Sequence, residues 1–382
     1  MTSIRVCYIA NQAIDFVPEG HNTASRGIIQ AAIHAGIDAQ VVTLEKSLSS
    51  SRQGFYPIRI LSQPRHKTSY FPSLAEFIST FPAMLVAKAL NCDIIHLLNV
   101  TKELFSATQM FLKINTPRVA HLYHSYLPFL SYTSFKFRFL LLKLGIFDYI
   151  FCSNMQLKNY LALKGLNPNH VHYIPYPVDI ERFRPYDKGE LRRKHRLPPN
   201  IPIITYVGAI DPNRGFFVLL RAFKEISKDF PQALLYICHP RSNEEKYVQF
   251  IRSIFGSRII VQGSNSRIEE AYSLASVVVL PFREPYWIID PPVVLLEAMA
   301  SATPVITTPL GAIGEIGKDK KNMIFSSPGN SNSLGKAIKY VLKNQDEAEK
   351  IGLNARETAK TRFSQEVVGK TLNRAYKEIL EC

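Results

Sequence analysis

Residues 290–309 read Asp-Pro-Pro-Val-Val-Leu-Leu-Glu-Ala-Met-Ala-Ser-Ala-Thr-Pro-Val-Ile-Thr-Thr-Pro. Asp290 is of a residue type that caps helix N-termini. Pro291 suits the first helical position, where its missing N–H costs nothing. Pro292 lacks a donor too, so the free amides of this first turn come from Val293 and Val294. Those amides and the helix dipole make a site for an anion such as a diphosphate. Glu297 follows Asp290 by two helical turns, which places both carboxylates on one helix face. Pro304 to Thr308 reads as a buried strand. A helix start that faces phosphate, with an acid two turns along it, can hold a nucleotide by diphosphate and ribose together.

The chain has 382 residues, more than one hydrophobic core usually fills, so two domains are expected. With 46% hydrophobic and 20% charged residues the composition is that of a globular protein, which argues against disorder. No apolar run reaches the length that crosses a bilayer. The N-terminal residues enter a strand at once and do not follow the signal-peptide pattern, so a cytoplasmic protein is expected. Cys7, Cys92, Cys152, Cys238 and Cys382 are scattered, without metal-ligand spacing, and read as reduced thiols. A net charge of +15 implies an anionic partner, either a nucleotide, a lipid headgroup or a nucleic acid, or else a solvated basic surface.

The apolar pattern alternates strand and helix. Ile4 to Ala10 is a strand; a loop with Pro18 and Gly20 follows, then a helix from about Thr23 to Ala35 and a strand from Gln40 to Leu44. Further strands are expected at Asp93–Leu98, Arg118–Tyr123, Tyr149–Ser153 and His170–Ile174. Pro185 to Pro202 is charged and low in apolar residues, and reads as the passage between domains. The pattern then restarts, with strands at Ile203–Val207, Leu234–Cys238, Ile259–Gln262 and Val277–Pro281. Two such series make two doubly wound parallel-sheet α/β domains, at 1–185 and 186–364, facing a cleft. A helix at 365–382 closes the chain.

Between a strand and a helix, Tyr206 to Gly215 read Tyr-Val-Gly-Ala-Ile-Asp-Pro-Asn-Arg-Gly. Gly208 lets the chain turn sharply at the strand end. Arg214 opposes the dipole of the helix it precedes, and becomes favourable if a diphosphate pairs with it. The alternative is a solvated Arg held by Asp211.

Residues 290–309 resemble the donor-binding signature of retaining glycosyltransferases of family four, which have the GT-B fold. That pattern is Glu, seven residues, Glu, then Ala-Met-Ala. Here the second Glu is Glu297, followed by Ala298-Met299-Ala300; the first is replaced by Ile289, with Asp290 one place off. The resemblance also implies phosphate contacts at Arg214, with Ala209 standing where the family has an arginine. It implies a close backbone approach to the donor at Gly20, a nucleobase near the loop at Gly263, and a helix at 365–382 crossing back to the first domain. His124, after the strand ending in His-Leu-Tyr, matches a histidine beside the donor sugar. No cofactor and no metal are implied, because Arg214 and helix amides meet the diphosphate.

Residues 127–150 are aromatic and basic. They fit either an in-plane membrane helix, which would suit a lipid-linked acceptor at the inner face of a membrane, or a helix packed on the sheet. The expected function is therefore a retaining transfer of a sugar from a nucleotide-sugar donor to a glycan or lipid-linked acceptor. Asp290, Glu297 and His124 are the candidate catalytic residues, and Gly20, Gly208, Arg214, Val293, Val294, Glu297 and Gly263 the candidate donor-binding ones. Two alternatives stay open: a GT-B protein that binds a nucleotide sugar and transfers poorly, and a basic nucleic-acid-binding module. The second lacks a nucleic-acid signature.

Overall fold

Continuous apolar runs bounded by turn residues dictate buried parallel strands, because such strands are covered on both faces. A computed structural model describes residues 3–10, 20–45, 55–59, 83, 85–98, 115–123, 147–238, 245–263, 267–284 and 290–381. His124, Ile289 and all of 127–150 except residues 147–150 lie outside the described residues.

The chain divides into two units, Met1–Pro177 with Gln365–Cys382, and Val178–Ser364. In the first, β1 (Arg5–Ala10), α1 (Gly20–His34), β2 (Asp38–Glu45), β3 (Phe55–Arg59), β4 (Ile94–Leu98), β5 (Arg118–Leu122), β6 (Tyr149–Cys152), α2 (Met155–Leu163) and β7 (Val171–Tyr173) follow one another. They build a seven-stranded sheet of order β3-β2-β1-β4-β5-β6-β7. Every pairing is parallel. β3 was not expected from sequence, because Pro57 breaks its pattern. It lies at the sheet edge, where a residue without an N–H is tolerated. Gly20 is the first residue of α1, so it stands in the helix rather than in the loop expected before Thr23.

The second unit runs α3 (Lys188–Lys194), β8 (Ile203–Val207), α4 (Phe216–Asp229), β9 (Leu234–Cys238), α5 (Glu245–Phe255), β10 (Ile259–Gln262), α6 (Ile268–Leu274), β11 (Val277–Leu280), α7 (Val293–Ala300), β12 (Val305–Thr307), α8 (Ala312–Ile316), β13 (Ile324–Phe325), α9 (Ser331–Lys343) and α10 (Gln345–Phe363). Its six strands are ordered β10-β9-β8-β11-β12-β13, again all parallel. One core joins Ile204, Tyr206, Ile237 and Val279 of the strands to Phe216, Leu219 and Phe223 of α4 and Ile338 of α9. The charged stretch 185–202 is folded into this unit. Lys194 and His195 each lie 2.8 Å from the buried Glu270 carboxylate, which Arg267 also reaches.

The last helix, α11 (Gln365–Glu381), belongs with the first unit. Glycine at 369 permits that packing, since a Cβ there would collide with the Ala31 carbonyl of α1. Asn373 donates to the Ala35 carbonyl at 3.0 Å. Deeper in, the Tyr376 hydroxyl lies 2.5 Å from Nδ1 of His96 and 3.0 Å from the Tyr8 hydroxyl, all three fully buried. Either tyrosine hydroxyl can donate to the other, the direction of the Tyr376–His96 bond follows the imidazole tautomer, and Nε2 of His96 has no hydrogen-bond partner among the described residues. Burial holds His96 and His121 well below the ordinary imidazole range and keeps both neutral.

Tyr376→Phe deletes both contacts and strands two buried polar groups. We expect it to destabilise the first unit by about 1–3 kcal/mol. A urea melt would show this as a lower midpoint; an unchanged midpoint would mean the hydroxyl does not fasten the helix.

Candidate functional site

In the second sheet the first strand, β8, sits between β9 and β11, so the strand order reverses there. In open parallel sheets the crevice beyond the carboxyl ends at such a reversal is where ligands bind. The loops after β8 and β11 meet at this point. Gly215, the N-cap of α4, has φ 75°. A Cβ on it would collide with the Pro281 carbonyl, so the approach of the two loops requires glycine. The Arg283 amide donates to the Asn213 carbonyl at 2.9 Å and ties the loops again.

Gly208 has φ 140°, and a Cβ on it would stand 3.4 Å from Nη1 of Arg214. The guanidinium thus folds back over the glycine turn. Asp211 does not hold it: the Asp211 carboxylate accepts the Asn213 amide at 2.7 Å instead. Among the described residues no carboxylate pairs with Arg214, which is half-buried. Ala209 is buried and supplies no charge.

The start of α7 differs from the sequence expectation. Its N-cap is Pro292, with no side-chain cap, and Asp290 precedes a cis bond to Pro291 outside the helix. Pro291 is therefore not the first helical residue, and Asp290 does not share a helix face with Glu297. The Asp290 carboxylate instead accepts the Ala312 amide, at 2.9 and 3.0 Å from its two oxygens, at the start of α8. The physical reason is that the first turn of α8 begins at Gly311, which has no side chain to cap it; a Cβ at Gly311 would meet the Asp290 carboxylate. In α7, Leu295 and Leu296 donate to the Pro292 carbonyl. The amides of Val293 and Val294 lie outside the helix's own ladder.

Glu297, in the second turn of α7, is buried, and the Tyr272 hydroxyl donates to its Oε2 at 2.8 Å. Burial pushes its carboxyl from the usual 4.5 up to about 7, against the hydrogen bond from Tyr272 and the charge of Arg182. Tyr272 was not among the candidate residues, because a single tyrosine on α6 carries no motif. Gly263 follows β10 and is exposed, with open space around its Cα. Gly208 and Arg214 thus stand on the loop after β8, and Val293 and Val294 open α7, with Glu297 one turn further along that helix. Asp290 is directed to α8.

Residues 187–358 match the family described as Glycosyl transferases group 1. That match lies within the second unit. Among curated relatives, YtcC of Bacillus subtilis is 27% identical over 221 residues, 53% of this chain and 53% of YtcC. The D-inositol 3-phosphate glycosyltransferase 2 of Catenulispora acidiphila is 24% identical over 220 residues, 54% of this chain and 50% of that protein. The chain thus spans about half the length of the curated relatives it matches. Its fold is similar to sucrose-phosphate synthase from Thermosynechococcus elongatus, with TM-score 0.76 and 20% identity over 99% of both chains. HepE from Anabaena, solved in complex with UDP and glucose, gives TM-score 0.76 and 15% identity over 98% of this chain and 99% of that one. The two parallel-sheet units are those of the GT-B glycosyltransferase fold.

Two substitutions test this geometry. Gly215→Ala should destabilise the second unit by more than about 1 kcal/mol, because strain at positive φ adds to the clash with Pro281; a melting midpoint equal to that of the parent would refute the close approach. For Glu297 the folded pKa lies above the unfolded one. Its contribution to stability is therefore complete below about 4.5 and is lost as pH rises through about 7. Glu297→Gln should remove that decline, and melts recorded from pH 4 to 8 should be flatter in the variant.

Proposed function

We propose that the chain is a retaining glycosyltransferase that moves a sugar from a nucleotide-sugar donor to a glycan or lipid-linked acceptor. One observation carries this reading: a half-buried arginine, without a carboxylate partner among the described residues, stands on the loop after β8, and an uncapped helix start follows the neighbouring strand β11. A diphosphate supplies the missing anion to both. Arg214 gives a charge-assisted hydrogen bond, and the Val293 and Val294 amides add theirs at the positive end of α7. The Glu297 carboxylate accepts from the ribose hydroxyls when ionised. These groups stabilise the charge that builds on the leaving diphosphate as the glycosidic bond lengthens. The sugar passes through an oxocarbenium-like state. The departing diphosphate takes the acceptor proton, so no enzyme nucleophile is needed. His124 would address the sugar and Gly20 the backbone approach to it. Arg214 and the helix amides supply the charge that a divalent ion would otherwise bring. That HepE was solved with UDP and glucose supports a nucleotide-sugar donor.

A second reading has one observation in its favour. Asp290, the acid nearest the position where the family has its first Glu, is engaged by the Ala312 amide. A protein that binds the donor and transfers poorly would fit that geometry. Slow hydrolysis of the donor separates the two, since a pure binder leaves it intact. Among the described residues no helix is long and apolar enough to cross a membrane.

A thermal-shift panel of nucleotides and nucleotide sugars tests the donor site. A donor at roughly 1,000 times its dissociation constant stabilises by about 4 kcal/mol. Arg214→Gln should weaken the best ligand at least about tenfold, the loss of one charge-assisted bond, while leaving the free protein's melting unchanged. Equal affinity of variant and parent would remove Arg214 from the site.

A further inference from the structure

The second unit exposes an apolar stripe that neither its core nor the donor site uses. On α5, Val248, Ile251 and Phe255 face the core. Tyr247, Phe250 and Ile254, at helical spacing i, i+3, i+7, are 39%, 57% and 49% exposed. The other large exposed apolar side chains stand one or two to a helix, so this alignment is not the scatter common on protein surfaces.

The neighbouring helix gives the stripe a charged flank. The Phe217 ring of α4 lies 6.5 Å from that of Tyr247. Arg221, Lys224 and Lys228 continue from Phe217 along the same face of α4 at four-, seven- and eleven-residue spacing, and all three are exposed. Two acids interrupt them, and each is already paired: Glu225 with Lys228 at 2.6 Å and Asp229 with Lys339 at 2.5 Å. Arg252 on α5 is exposed as well, and the Arg258 guanidinium covers the Phe223 and Phe255 rings at 6.0 Å. The face therefore combines two aromatic rings and a branched aliphatic chain with a surplus of cations.

We propose that α5 and the adjoining face of α4 dock on an anionic lipid bilayer surface. Tyr247, Phe250 and Ile254 enter the headgroup boundary, and Arg221, Lys224 and Arg252 meet lipid phosphates. A second copy of the chain is the poorer occupant, since a symmetric contact would set this cationic flank against itself. Three apolar side chains hold a membrane only weakly, so binding is reversible and needs the charges too. This surface does not rest on the transferase reading, and donor binding can be scored separately on the same samples.

The test is co-sedimentation of the full chain with vesicles of phosphatidylcholine plus phosphatidylglycerol, and of phosphatidylcholine alone. Binding is expected to the mixed vesicles only and to weaken as salt rises. The pair F250E/I254E and the pair R221Q/K224Q should each lower partitioning at least about tenfold, with melting and donor response unchanged. Three results overturn the proposal: no binding to anionic vesicles, equal binding by the parent and both paired variants, or a self-associated form that F250E/I254E abolishes while vesicles go unbound. The last would make the stripe a contact between copies.

Discussion

The candidate site depends on one close approach, the backbone of Gly215 against the carbonyl of Pro281. It exists because β8 and β11 are neighbours although three helices and two strands separate them along the chain. A parallel sheet places the ends of both strands at one edge, and the reversal of strand order leaves a crevice between their loops. Any side chain at 215 would push the loops apart. With glycine they meet, and Arg214, the next residue back, stands where the α7 loop begins. The electrostatics follow from that placement. A cation at the start of one helix is unfavourable alone, and so is an uncapped N-terminus. On the proposed reading the two together receive an anion.

Glu297 shows the same tension between stability and function. It is buried beside Tyr272, and its carboxyl holds its proton to higher pH than a solvated glutamate does. A group so placed costs stability near neutrality, and no compensating cation touches it among the described residues. The protein retains it where an apolar side chain would be cheaper. That cost is accounted for if ribose hydroxyls donate to the ionised form.

Much of the fold was legible because its strands are apolar runs with sharp ends. Ile203–Val207, Leu234–Cys238 and Ile259–Gln262 have the bounds read from the sequence. The edge strand Phe55–Arg59 was not, because an edge tolerates a proline that a central strand would exclude. Gly208 and Arg214 were legible through local rules, glycine at a turn and a cation at a helix start, whereas the approach of Gly215 to the Pro281 carbonyl was not. Asp290 was misread for a comparable reason. Its residue type and the prolines after it are a correct signature of a helix start, but its partner is the Ala312 amide, 22 residues along the chain. No local pattern announces that distance. Tyr272 was missed likewise, lying 25 residues from Glu297. The hydroxyl that fastens the last helix, Tyr376, lies 280 residues from His96, and only the folded chain brings them together.

The central claim is that a pyrophosphate sits between the Arg214 guanidinium and the amides of Val293 and Val294. The most direct measurement is a crystal structure of the protein soaked with a nucleotide sugar that scores in the thermal-shift panel. The account predicts phosphate density within hydrogen-bonding distance of Arg214 and of at least one of the two amides. Ordered donor density elsewhere, with this crevice holding only water, would contradict it.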